Sequence, residues 1–400
     1  MPRTGFGATL SFRYFERMGG NVRLLYVSEV QWLSQVSRKH LIIRRLPKDW
    51  DVLFVSPLNA VRSENSLRPR SDETYPNVRY ASLPLPKPDS GIAFVRGLTR
   101  PLAAVGTRRL AWLARSFRPN VIVCSYLWAA PAVPAFRARG IPVVYDLNDL
   151  HPEFYPKRRR EADEMFRSML SSVDEVVSSS DYLRDVARRG VVIGNGVDLD
   201  AFAGRTVGPM PKLLADSPLS ACEDLVAYVG SVDDRVDFGL LEAVGRRISE
   251  ASRATGLVVI GRVFDSVAAR VRALERSLGE RVLFTGRVPY ERLPELMSSA
   301  KVGIAPFVLS ERTRAINPNK LYMYAAMDMN VVTTPFSSEV KRHRDVVFVA
   351  SGRDEFAAAV DAALGDDDRR RAIRKSIALP NSWNRKANSF ADLLSRLSSG

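Results

Sequence analysis

The sequence predicts an α/β protein of two doubly wound parallel-sheet domains facing a central cleft, and three observations lead there. From Val22 onward one unit repeats, an apolar strand, a polar turn and an amphipathic helix, which is the pattern of parallel sheets covered by helices. The chain has 400 residues, too many for one hydrophobic core. A stretch rich in Gly, Pro and Ser, residues 203–220, separates two such series and reads as a linker.

Residues 1–22 carry neither a strand pattern nor an amphipathic period and read as a flexible start. The first domain, 23–202, has apolar runs at Arg23–Val27, Val52–Val55, Val121–Ser125, Val143–Tyr145, Glu175–Ser178 and Val191–Ile193. The second, 221–380, has them at Leu225–Val229, Gly256–Ile260, Val282–Thr285, Val302–Ala305 and Val331–Thr334, leaving 381–400 as a final segment. Gly230, Gly261 and Gly286 end three of these strands without the GxGxxG spacing, so they read as tight strand-to-helix turns rather than a dinucleotide fingerprint. Ligands of such sheets sit at the C-terminal strand ends, which here places a cleft between the halves.

Composition narrows the partners. At 46% hydrophobic and 26% charged the chain is globular rather than disordered. Its 59 Lys and Arg against 44 Asp and Glu call for an anionic partner. Residues 1–145 hold 22 of those bases against 8 acids, and from Ser90 to Tyr145 there is no acid at all. Arg96, Arg100, Arg108, Arg109, Arg115, Arg118, Arg137 and Arg139 fall in that stretch. A helix over Leu102–Phe117 would put Arg108 and Arg115 on one face and Leu102, Val105, Trp112, Leu113 and Phe117 on the other. Such a helix either lies in a membrane interface or packs on the sheet with a solvated basic face. Two cysteines, Cys124 and Cys222, read as reduced buried thiols of a cytoplasmic protein. Three histidines leave little for a metal site. The longest apolar stretch, Val121–Phe136, is interrupted by Pro131 and Pro134 and is shorter than the ~20 residues a bilayer span needs.

Three segments carry chemistry. Tyr145, Asp146, Asn148, Asp149 and His151 cluster at one strand end, where a carboxylate could take a proton from an attacking hydroxyl; a plain Asx turn is the alternative. Asp149, farther from the strand interior than Asp146, suits the chemical role better. Gly194, Asn195, Gly196, Val197 and Asp198, with Phe202 behind them, form a sharp turn in which glycine and asparagine supply positive φ. Asn317, Pro318, Asn319 and Lys320 open an amphipathic segment, Leu321–Met327. Free amides at that helix start and the Lys320 charge would suit a phosphate. The other reading has Asn317 as a cap, Pro318 near the first helical position and Lys320 solvated.

In order and spacing these pieces resemble the GT-B glycosyltransferases that use nucleotide sugars, especially the broad family-4-like group. The resemblance covers Arg23–Phe390 and rests on Asn195–Asp198, Tyr228–Ser231 followed by Asp237, Ala305–Phe307, and Asn317–Tyr324 before Val331–Thr334. Trp383–Leu394 looks like the helix that crosses back to the first domain in this fold. A closer likeness is to the inverting β-glucuronosyltransferase of xanthan-type polysaccharide synthesis, whose base is an aspartate in a Tyr-x-x-x-Asp setting matched by Tyr145–Asp149. The likeness implies nucleotide contacts at Gly230, Val232, Arg287, Phe307, Asn319, Lys320 and Met323. Retaining members carry two glutamates eight positions apart where Ala315 and Met323 stand, which argues against that mechanism. An acidic residue of the glucuronosyltransferase is replaced by Arg287, and Asp328 and Asn330 replace a common Gly and Pro.

The resemblance thus implies an inverting transferase with Asp149 as base, a UDP-sugar donor in the second domain, and no metal or other cofactor. The basic first domain then suggests a polyprenyl-diphosphate-linked glycan as acceptor, met at an anionic membrane surface on the inner face of the plasma membrane. Rivals are a retaining transferase or nucleotide-sugar epimerase on the same fold, and a non-catalytic basic protein binding nucleic acid or another anion. Against nucleic acid, the sequence has no helix-turn-helix, zinc or RNP pattern, and its aromatics do not alternate with bases.

Overall fold

The computed structural model describes residues 22–34, 36–58, 65–85, 99–202, 210–250, 254–366 and 372–399. Residues 1–21 of the expected flexible start, 203–209 of the expected linker, and Arg96 lie outside the described residues, as do the side chains of Arg100 and Leu102.

The first sheet has eight strands: β1 (Arg23–Val27), β2 (Asp51–Pro57), β3 (Arg70–Ser71), β4 (Val78–Leu83), β5 (Val121–Cys124), β6 (Val143–Leu147), β7 (Glu175–Ser178) and β8 (Val191–Val192). Their spatial order is β3-β4-β2-β1-β5-β6-β7-β8, parallel apart from the β3 edge. Strands β3 and β4 were not expected from the sequence: β3 is two exposed residues, and β4 interrupts its apolar run with Arg79, Tyr80 and Ser82. The second sheet has β9 (Asp224–Val229), β10 (Thr255–Ile260), β11 (Val282–Gly286), β12 (Ala300–Ala305), β13 (Asn330–Thr333) and β14 (Phe348–Val349), in the order β11-β10-β9-β12-β13-β14. The strands are near-continuous apolar runs because both faces of a helix-covered parallel sheet are buried.

Strand order reverses between β1 and β5 in one sheet and between β9 and β12 in the other. The crevice at such a reversal is where open α/β sheets bind ligands. Both crevices open on the same cleft.

The ends of the chain are tied into this frame. The last helix, Trp383–Ser398, belongs to the first sheet's core: Trp383, Phe390 and Leu394 pack with Leu24, Phe54 and Val123. Its entry is fixed by a two-residue bridge, Val197 N–H to Asn381 O and Trp383 N–H to Val197 O, both 2.9 Å. The turn at 194–198 is therefore not a positive-φ turn, as its Gly-Asn-Gly composition predicts. A Cβ on Gly196 would lie 2.7 Å from the backbone Asn381 O, so that glycine is required by close approach, while one on Gly194 would lie 2.8 Å from Asn317 Nδ2 and would displace that side chain. The second half of the expected linker is also packed, since Leu214 and Leu219 are fully buried against the second sheet.

Candidate functional site

The three strand-end glycines take the conformation the sequence predicts, with φ of 134° at Gly230, 151° at Gly261 and 68° at Gly286. Gly261 has no room for a side chain, since a Cβ there would meet Gly230 O at 2.0 Å. The ends of β9, β10 and β11 thus form one close-set rim that presents Ser231, Arg262 and Arg287.

That rim is one wall of a cavity of about 550 Å³ between the two sheets. Of the residues singled out by sequence, Asp149, Gly230, Arg287, Phe307, Asn319, Lys320 and Met323 all line it. Val232 does not: it is buried, its N–H bonds Arg262 O at 2.9 Å, and it bridges Val263. Its expected nucleotide contact is corrected by this pairing, which consumes the backbone group a ligand would use. Asp237 also turns inward, accepting from the N–H groups of Gly239 and Leu240 as the cap of the Phe238–Glu250 helix.

Lys320 sits in the first turn of the Asn319–Ala326 helix. The cap reading of this segment fails, because Asn317 makes no cap bond; it accepts from Asn195 N–H at 3.2 Å, and its own carbonyl accepts from Asn195 Nδ2 at 2.8 Å. Lys320 is buried rather than solvated, with Nζ 4.0 Å from the Tyr228 ring centre and 4.1 Å from that of Phe307. The aromatic faces attract the cation. Burial, and then Arg235, push its pKa well below the ordinary lysine value, while Asp233 pulls the other way. Among the described residues no carboxylate bonds Lys320. An anion entering the cavity would supply the missing counter-charge and draw the pKa back up.

The opposite wall separates the two aspartates of the Tyr145–Asp149 segment. Asp146 lies within β6, fully buried, accepting from Tyr26 Oη at 2.6 Å and paired with Arg38 at 3.4 Å. Arg38 also binds the carbonyls of Ile193 and Gly194 at 2.7 Å, so this pair fastens the first sheet together. Asp149 stands beyond the strand in the cavity wall, half-buried. Burial raises its carboxyl to about 6, against the lowering pull of Arg235, Lys39 and Arg312.

Several lining residues had no signal in the sequence. Arg235, held bidentately by Asp233 at 2.6–3.2 Å, carries charge from the second sheet toward Asp149. Lys39 is paired with Glu29, which also accepts from Ser125 at 2.9 Å. Arg235 and Glu29 lie in turns, where periodicity says nothing about direction, and Lys39 lies in the first turn of a short helix, Arg38–Ile43, that is buried along its whole length and so shows no amphipathic period.

The position matching one retaining glutamate, Ala315, is buried, and its carbonyl accepts from Ser180 Oγ at 2.9 Å. The other, Met323, brings a thioether to the cavity. Neither place offers a carboxylate.

The basic helix runs Thr99–Phe117, and its faces differ from those the sequence predicts. Leu110, Leu113, Ala114 and Phe117 pack on the first sheet. Val105 and Trp112, 44% and 59% exposed, lie on the outer side with Arg108, Arg109 and Arg115. The physical reason is the arc available: Leu110, Leu113, Ala114 and Phe117 already fill the inward stripe, at three- and four-residue spacing. No described helix is long and apolar enough to cross a membrane.

Comparison with known proteins agrees with this architecture. A glycosyl transferase 4-like domain model matches residues 40–196, and a glycosyl transferases group 1 model matches 223–366. Among curated relatives, a Bacillus subtilis (strain 168) protein named as a putative teichuronic acid biosynthesis glycosyltransferase, TuaH, is 24% identical over 275 residues. That alignment spans 65% of this chain and 63% of TuaH, less than two thirds of the relative's length. Sucrose-phosphate synthase from Thermosynechococcus elongatus superposes with a TM-score of 0.72 at 16% identity, over 94% of this chain and 99% of that one. The E. coli trehalose-6-phosphate structure bound with UDP-2-fluoro glucose gives 0.66 at 15% identity, over 94% and 99%. At such identities the structural likeness speaks for the fold. With one glycosyltransferase model on each sheet and a paired-sheet architecture to match, the chain belongs to the glycosyltransferases of the GT-B fold.

Proposed function

We propose that the protein transfers a sugar, hexosyl or glucuronosyl, from a UDP-linked donor to a hydroxyl of a polyprenyl-diphosphate-linked glycan, with inversion and without a metal. The observation that carries this reading is the placement of Asp149 and Lys320 on opposite walls of one cavity. The acceptor oxygen attacks the anomeric carbon as the bond from that carbon to the diphosphate oxygen breaks. Asp149 takes the hydroxyl proton, and a carboxyl at about 6 is mostly ionised at neutral pH. The departing diphosphate keeps the electron pair and is received by Lys320 and the amides opening the Asn319–Ala326 helix. UDP in a structural neighbour supports the nucleotide, and the teichuronic acid relative supports a role in bacterial cell-wall or exopolysaccharide synthesis.

The outer face with Arg108, Arg109, Trp112 and Arg115 suits an anionic lipid surface, with the indole at the headgroup level and the guanidinium groups on phosphates. A lipid-linked acceptor at the inner face of the plasma membrane fits it. The test is a thermal-shift screen of nucleoside diphosphates and nucleotide sugars, followed by NMR of the product anomer. A UDP-sugar is expected to raise the melting temperature by mass action and to yield the inverted anomer. No response to any nucleoside diphosphate would overturn the reading, and a retained anomer would overturn its mechanism.

A further inference from the structure

The loop that carries Asp149 contains polar groups that the transfer mechanism leaves unused. His151 is 8% exposed, with both ring nitrogens engaged: Nδ1 is 2.6 Å from Tyr145 Oη, and Nε2 is 3.2 Å from Asn148 Oδ1. The Asn148 amide then donates from Nδ2 to Asp149 Oδ2 at 3.2 Å. Among the described residues nothing bonds the other carboxylate oxygen, Oδ1.

The directions of these bonds follow from the carboxylate end. An ionised carboxylate only accepts, so Asn148 must turn its NH2 toward Asp149 and its Oδ1 toward the imidazole. Nε2 must therefore carry the proton. Nδ1 is then the acceptor, and only the Tyr145 hydroxyl can donate to it. One tautomer satisfies every member. Burial agrees, because it pushes His151 down to about 4 and Tyr145 well above its ordinary value, so both are neutral when Asp149 is ionised.

We infer that Tyr145, His151 and Asn148 form a hydrogen-bonded brace that fixes one oxygen of Asp149 and leaves the other for the acceptor hydroxyl, which makes them positioning residues for the transfer. This rests on the reading of Asp149 as the base. The brace is anchored at its far end in the core, where the Tyr145 ring packs edge-on to Phe166, and along its backbone by Ser179, whose Oγ donates to Asn148 O at 3.0 Å. His151 N–H closes the turn on Asp149 O at 2.9 Å. A carboxylate in a polar loop would otherwise be free to rotate, and misplacement by about 1 Å can cost about 10²-fold in rate. Donation by Asn148 also stabilises the ionised form, opposing the burial that raises the carboxyl. The other charges facing this group are Arg235 and Arg312 from the second sheet and Lys39 and Glu29 from the first. Glu29, Lys39 and Asp146 face His151, while Glu29, Tyr155, Asp146 and Cys124 face Tyr145.

The experiment reads the carboxyl itself. In protein labelled with 13C at aspartate Cγ, the Asp149 signal, identified by its loss in Asp149→Asn, is titrated by NMR without any ligand. Asn148→Ala is expected to raise its midpoint by about 0.5 to 1 unit, and Tyr145→Phe to raise it less. His151→Ala should resemble Asn148→Ala. His151→Gln should restore the wild-type midpoint, since its amide can accept from Tyr145 and donate to Asn148. If the His151 variants do not fold, the half-buried Asn148 and the shape-preserving Tyr145→Phe carry the test. Midpoints equal to wild type in folded Asn148→Ala and Tyr145→Phe overturn the brace while leaving the base reading standing. Near-normal turnover by a folded Asp149→Asn overturns the base reading, whatever the titration shows.

Discussion

The two walls of the cleft handle charge in opposite ways. On the first-sheet wall the buried ions are matched within the fold, Arg38 to Asp146 and Lys39 to Glu29. On the second-sheet wall Lys320 lies between aromatic rings, Arg262 rides 4.6 Å over Phe264, and Arg287 stands on the rim. Among the described residues none of these three is bonded to a carboxylate. A self-neutralised wall suits a neutral hydroxyl and a single working carboxylate, whereas the facing wall, where Arg235 is matched by Asp233 but Lys320, Arg262 and Arg287 are not matched, suits an anion. Under the proposed function, the division of labour between acceptor and donor would follow which charges have partners.

The largest effect expected is on the matched wall. Arg38→Ala would leave Asp146 buried with Tyr26 alone, and breaking a buried pair in this way costs about 3–5 kcal/mol. Chemical denaturation measures it, and a loss below about 1 kcal/mol would show that the pair is not what joins β6 to the 193–195 turn. Next comes Asp149→Asn, expected to lower transfer by about 10²-fold or more while leaving nucleotide affinity near wild type.

Its pH behaviour sharpens the comparison. The carboxyl is raised by burial, so the fold favours the protonated form. Stability from this group is full below the ordinary aspartate range and is lost as pH rises through about 6, while activity rises over the same interval. Asp149→Asn should therefore gain thermal stability relative to wild type at pH 8 but not at pH 4. An equal difference at both would detach the function from the buried charge.

On the unmatched wall, Lys320→Ala should weaken nucleoside diphosphate binding by about 1.5–3 kcal/mol, the range for hydrogen bonds to charged groups. Nucleoside binding should change less. Calorimetry that finds unaltered diphosphate affinity would remove Lys320 from the site. The smallest effects belong outside the cleft. Binding to anionic vesicles should fall with salt as the Debye length shortens to ~3 Å at 1 M, and fall further in Arg108→Glu with Arg115→Glu. Trp112→Ala should weaken it by a few-fold at low salt. Equal binding to neutral vesicles would assign the surface to hydrophobic anchoring instead.

Much of this architecture was legible in the chain. Strand after strand is marked by an apolar run, because a sheet buried on both faces tolerates little else, and β9, β10 and β11 also by the glycine at their ends. Strands β3 and β14 carry no such mark because they are two-residue edge strands whose composition resembles a loop, and β4, though paired on both sides, lacks it because Arg79, Tyr80 and Ser82 break its apolar run. Of the cavity lining, the place of Lys320 could be read from a Pro-Asn-Lys helix start, and that of Asp149 from its distance beyond a strand. Arg235 and the brace through His151 could not.

What the sequence determined by itself was therefore one-dimensional: which segments are strands, where each turn falls, and which half of the chain carries the excess charge. Tertiary structure decided direction and partnership. Asn317 could cap its own helix, yet it pairs with Asn195, 122 positions away, because the two crevices meet there. Trp112 could have faced the core, yet leucines and a phenylalanine already filled the arc against the sheet. Val232 sits one residue too far from the rim, and its N–H went to Arg262. Hydrophobic period records the spacing along one element, but the azimuth of a side chain in a turn is set by whichever neighbour arrives from elsewhere in the chain.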